Sequence, residues 1–170
     1  MGDGRMSGPG AINESEGIFM TASRCGIRLN FCGFENGENE GKVAQMLGEF
    51  RYLFPAWIGQ LTVKPDVPDD NDTLLSIWFD MKYLRATIGI APAFWVLTSH
   101  KQRQCLLHEI AHAWLAQMTS WVRNRLLSGQ DDLTKERRVE FEERAESTVE
   151  TLATAMGRLV PTFEGERITP

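Results

Sequence analysis

His108 and His112 stand four residues apart, with Glu109 directly after the first, in a run that also holds Leu106, Leu107, Ile110, Ala111, Trp114 and Leu115. No other feature restricts the fold so sharply. On an α-helix, residues four apart lie one turn above each other on the same face. A helix therefore aims both imidazoles at one point, whereas an extended strand would hold them about 13 Å apart. The apolar neighbours predict a largely buried helix. Two histidines and a glutamate inside it would cost several kcal/mol if left unpaired, and one shared metal ion removes that cost. Zinc suits two neutral imidazoles, and a fourth position left open makes such a site catalytic. Glu109 projects beside the histidines, where it reaches a metal-bound water rather than the metal, as a general base does.

Two imidazoles do not complete a site. The chain has only three histidines. His100 lies eight residues before His108, two turns away on the same helix or its cap, and is badly placed to join it. None follows His112, so arrangements with a downstream third histidine are excluded, and a carboxylate or a cysteine is expected instead. A second helix, predicted from Leu133 or Thr134 to Gly157, supplies Glu136, Glu140, Glu142, Glu143, Glu146 and Glu150. At about 100° per residue, Val139, Ala145, Val149, Leu152, Ala153 and Met156 define its apolar face. Glu142 falls in the middle of that stripe and Glu146 on its shoulder, while Glu140 and Glu143 turn towards solvent. Glu142 is thus the expected third ligand. Glu146, one turn on, is expected to accept a hydrogen bond from the second ring nitrogen of a ligand histidine and fix its tautomer.

Around these helices the pattern is mixed. A strand is expected near residues 27–32, a helix over 38–53 stopped by Pro55, and further strands over 58–63, 74–80 and 86–90, with Pro92 placing the last near a sheet edge. Thr98 or Ser99 caps the motif helix, and Ser128-Gly129 ends it near Leu127. This order predicts an α+β fold, with a small mixed or antiparallel sheet packed on the motif helix and on the second, ligand-bearing helix. Residues 1–17 read as a flexible tail, 18–161 as one domain and 162–170 as a C-terminal tail. The loop containing Asp66, Asp69, Asp70 and Asp72 lacks the spacing and the glycine of a calcium loop and reads as a solvated turn.

A net charge of -5 over 170 residues argues against nucleic acid as a partner. No stretch is long and apolar enough to span a bilayer, and the start of the chain has no signal-peptide pattern. Cys25, Cys32 and Cys105 form an odd set without a disulfide framework, which fits a reducing, cytoplasmic setting.

The run His-Glu-Ile-Ala-His-Ala-Trp, followed by Glu142-Glu143-Arg144-Ala145-Glu146, resembles the gluzincin zinc metallopeptidases. It is similar to small ImmA/IrrE-type and other minimal gluzincins, whose second helix reads Glu-x-x-Ala-Asp or Glu-x-x-Ala-Asn. The likeness covers residues 84–161, and Glu146 departs by one methylene. It implies a zincin-like fold, Zn2+ held by His108, His112 and Glu142, Glu109 as general base, and a protein or peptide substrate. It also implies a substrate-binding edge strand upstream at Ala86, Thr87, Ile88, Gly89 and Ile90. Peptide deformylases share the histidine motif but take a cysteine ligand from a sequence that neither Cys32 nor Cys105 matches. The alternative is a metallopeptidase fold kept as a non-catalytic binding or regulatory module of a larger assembly, against which an intact Glu109 argues.

Overall fold

The computed structural model describes residues 27–35, 37–66, 73–129 and 131–160. They form an α+β arrangement of four strands and three helices. β1 (Arg28–Phe31) leads into α1 (Gly37–Phe50), then β2 (Gln60–Pro65), β3 (Leu75–Asp80), β4 (Arg85–Ile90), α2 (Ser99–Arg125) and α3 (Asp132–Gly157). Short 3-10 turns at Arg51–Leu53 and Pro92–Val96 close α1 and introduce α2. The terminal tails and the acidic positions Asp69, Asp70 and Asp72 lie outside the described residues.

The sheet runs β1-β2-β4-β3. β1 pairs parallel with β2, β2 parallel with β4, and β3 antiparallel with β4. Alternation explains the covered face: Leu61, Val63, Ala86, Ile88 and Ile90 are buried to within 1% exposure, and their neighbours along each strand point the other way. On that outer face Gly89 is buried too. A Cβ there would lie 2.7 Å from the Trp78 ring, so the indole can lie over the strand only because this residue is glycine. Lys64 Nζ stands 5.2 Å from the centroid of the same ring, a cation–π contact.

The order of the strands corrects one expectation. β4 carries Ala86, Thr87, Ile88, Gly89 and Ile90 and is an interior strand, hydrogen-bonded to β2 on one side and β3 on the other. Pro92 does not mark an edge, because it lies beyond the strand, at the start of the 3-10 turn, where its missing N–H takes nothing from the ladder. The strand beside β4 with an open side is β3.

α1 packs Val43, Met46, Leu47 and Phe50 inward at helical spacing. The N-terminal half of α2 lies deepest, with Leu106, Ile110, Ala111 and Ala113 fully covered. Thr98 Oγ1 caps it, accepting from Lys101 N–H at 3.4 Å, and buried Gln102 donates to the Phe94 carbonyl at 3.0 Å. These two bonds hold the start of α2 against the preceding turn. α3 returns antiparallel along α2. Asp131 caps it, accepting from Thr134 N–H at 2.9 Å, and Arg138 donates to the Leu127 carbonyl across the turn. Only Val149, Ala153 and Met156 of α3 are buried, while Val139 is 57% exposed. The apolar face expected along all of α3 is therefore covered only in its second half. α2 is 27 residues long, about 40 Å, against about 20 Å for six-residue strands. The sheet cannot cover the whole hairpin. No described helix is long and apolar enough to cross a membrane.

Candidate metal centre

Where α2 and α3 face each other, three side chains converge. His108 Nε2 and His112 Nε2 lie 3.1 Å apart. Glu146 brings one carboxylate oxygen to 3.6 Å from His108 Nε2 and the other to 3.5 Å from His112 Nε2. Among the described residues these three form the one group of histidine, cysteine and acidic side chains compact enough to hold a metal ion, with ligand atoms within 4.8 Å of one another.

The tautomer of His108 follows from its other nitrogen. Nδ1 stands 3.3 Å from Glu150 Oε1. A carboxylate accepts and does not donate, so the ring proton belongs on Nδ1 and the Nε2 lone pair points at His112 and Glu146. His112 is pushed below the ordinary histidine range, first by burial, although the Glu146 carboxylate opposes the shift. It is therefore neutral at pH 7, the form in which imidazole binds metal. Lone pairs thus converge on one small volume. A tetrahedral ion with bonds of about 2.0–2.1 Å has donor–donor edges of about 3.4 Å; the two imidazole nitrogens stand near that distance, each has a different Glu146 oxygen near it, and one ligand atom from each residue lies within 4.8 Å of the others. The three residues could hold a metal ion, and two imidazoles with a carboxylate are a donor set that suits zinc.

Glu109 is 8% exposed. Burial, and secondarily the Glu146 carboxylate, pushes its carboxyl up to about 8. Without a cation nearby it holds its proton at neutral pH; a divalent ion among the three donors would favour the charged form, a base next to the open position.

The expected residues do not all meet. His108, Glu109 and His112 sit together on α2, as their spacing requires. Glu142 stays apart, 3.5 Å from Arg123 Nε, and Glu146 takes the place expected of it. Glu150, which helical phase does not single out, stands against His108 Nδ1, the position expected of Glu146. The pair of acids is displaced by one helical turn. Helical phase sorts residues around the axis but not along it. Position along the axis is set by the hairpin: His112 lies sixteen residues before Ser128, and Glu146 seventeen after Gly129. Counting outward from the Ser128-Gly129 turn would have found the match.

The remaining candidates lie elsewhere. His100 is exposed in the first turn of α2. Cys105 is half-buried one turn before His108, with its thiol pushed up first by burial and then by Glu109, and Cys32 is exposed after β1. Asp66 accepts a hydrogen bond from Ser76 Oγ at 3.4 Å. Compared with protein-family models, characterised proteins and solved structures, the chain matches none.

Proposed function

We propose that the chain is a zinc-dependent peptidase of gluzincin type, in which His108, His112 and Glu146 hold the ion and Glu109 is the general base. One observation carries this reading: two imidazole nitrogens and a carboxylate converge at 3.1, 3.5 and 3.6 Å beside a buried glutamate. A site that only stiffened the fold would have no use for that fourth group.

Bound zinc would lower the pKa of a water and polarise a scissile carbonyl. The protein's own part is acid–base and positional. Glu109 takes the proton of the attacking water and returns it to the leaving amine. Glu150 keeps the His108 proton on Nδ1 and so keeps Nε2 turned to the ion. Both sides of β4 are already paired, so an extended substrate is better served by β3, whose outer side is open among the described residues and against which α2 packs.

The test compares the zinc-loaded protein with Glu109→Gln on a mixed peptide library, with zinc content measured in parallel. The expected outcome is cleavage by the parent chain and a loss of about 10²–10⁴-fold in the variant at unchanged zinc. Equal activity in both, or no cleavage by a fully zinc-loaded parent, removes the peptidase reading.

A further inference from the structure

The second half of α2 outruns the sheet and carries an uncovered apolar stripe. Trp114, Met118 and Trp121 are 50%, 53% and 57% exposed. With Met118 at zero, Trp114 falls near about -40° and Trp121 near about -60° on the helical wheel, so the three share one side. Leu115 and Val122, half-buried, border it at about +60° and +40°. Residues 110–122 contain no Lys, Arg, Asp or Glu. Trp114 is fixed in place, because its indole N–H donates to the Leu53 carbonyl at 2.6 Å. That bond satisfies its polar edge and leaves half the ring to solvent. His108 and His112 fall at about +80° and +120°, and Glu109 at about 180°. A molecule seated on the stripe therefore leaves the candidate metal centre open.

The order of the residues selects the occupant. The two tryptophans stand four residues before and three after Met118, so the stripe is nearly symmetric about that residue. A second copy laid antiparallel, with Met118 on the two-fold axis, sets Trp114 against Val122 of the other copy and Trp121 against its Leu115. The two Met118 side chains then meet each other. A two-fold contact has to be self-complementary in this way. Antiparallel pairing also opposes the helix dipoles and keeps the basic ends, Arg123 and Arg125, away from one another. The three large side chains expose roughly 350 Å², within the range of about 300–600 Å² for the largest apolar patch of a typical monomer. With their borders, two copies would bury about 1,000–1,200 Å² in total, the lower limit of a specific interface. We infer that Trp114, Met118 and Trp121 form a homodimer interface, through which two copies of the chain pair antiparallel along α2. The inference is independent of the chemistry at the metal centre.

Sedimentation velocity of the full-length protein over about 1–100 μM, the range suited to a small interface, tests it. The parent is expected to dimerise. Met118→Glu and Met118→Lys should each weaken self-association by more than about 100-fold, because each puts like charges face to face on the axis. An equimolar mixture of the two should dimerise again, since only on a two-fold axis does a residue meet its own counterpart. Circular dichroism checks that each variant is folded. Trp121→Ala, a milder change, should weaken the dimer by about 10-fold or more and reads the same surface should a charged variant misfold. A parent that stays monomeric assigns the stripe to a different partner and overturns the dimer. So does a dimer that survives Met118→Glu or Trp121→Ala, or a mixture of the two charged variants that stays monomeric.

Discussion

The two helices of the hairpin carry the same site in opposite ways. α2 brings His108, Glu109 and His112 out of a segment whose neighbours Leu106, Ile110, Ala111 and Ala113 are fully covered. α3 brings Glu146 and Glu150 from a helix with only three buried residues, and their side chains are 56% and 71% exposed. On α2 the proposed ligands are set by the packing of the helix they stand on. On α3 they are set by the turn, by the Asp131 cap and by a short apolar stripe, and Glu146 is one of several exposed acids until something selects it. The α2 half stands on a packed helix, and the α3 half on a mostly exposed one.

This contrast predicts an ordered series of effects. Replacing a convergent donor has the largest. His112→Ala and Glu146→Ala should each weaken zinc by more than about 100-fold, beyond the 10–100-fold typical of outer partners, as read by competition with a chromophoric chelator. If the contrast holds, His112→Ala should also alter folding, while Glu146→Ala should leave the metal-free protein as stable as the parent.

Glu109→Gln separates charge from packing. The Glu109 carboxyl titrates near 8 in the folded protein against 4.5 for the free group. Between those values the folded state binds more protons than the unfolded state, so stability of the metal-free protein falls as pH rises through that window. The variant should lose this slope. Urea denaturation with chelator present should show it more stable than the parent at pH 8.5, by a few kcal/mol, and little different at pH 4.5. A parallel pH dependence in both proteins would mean that Glu109 is not buried as described.

Glu150→Ala should come next, costing about 10–100-fold in zinc affinity, with Glu150→Gln restoring part because its amide oxygen still accepts from His108 Nδ1. The smallest effect belongs to Glu142→Ala. Its exposed ion pair with Arg123 should contribute at most about 1 kcal/mol, seen as a thermal shift of a few degrees, with no change in metal affinity.

The same contrast explains what could be read from the residues alone. The motif on α2 needed only helical spacing and apolar neighbours, both local, and His108, Glu109 and His112 stand where that reasoning puts them. Val43, Met46, Leu47 and Phe50 were legible in α1 for the same reason. Helical phase favours Glu142 over Glu146 because it carries no information about position along the axis, which depends on where a distant turn falls. Strand order failed for a related reason. Alternation identified β4, but nothing within residues 86–90 says that β2 pairs with β4 and not with β3. Pro92 signals an edge only if it lies within the strand, and it lies beyond it. Periodicity within an element was legible; register between elements was not.

The central claim is that Glu146, and not Glu142, completes the centre built by His108 and His112. Side-by-side zinc titrations of Glu146→Ala and Glu142→Ala, at matched concentration against the same competing chelator, test it most directly. One tightly held ion per chain is expected in Glu142→Ala, as in the parent, and a loss of more than about 100-fold in Glu146→Ala. Full affinity in Glu146→Ala, or the loss appearing in Glu142→Ala, would contradict it.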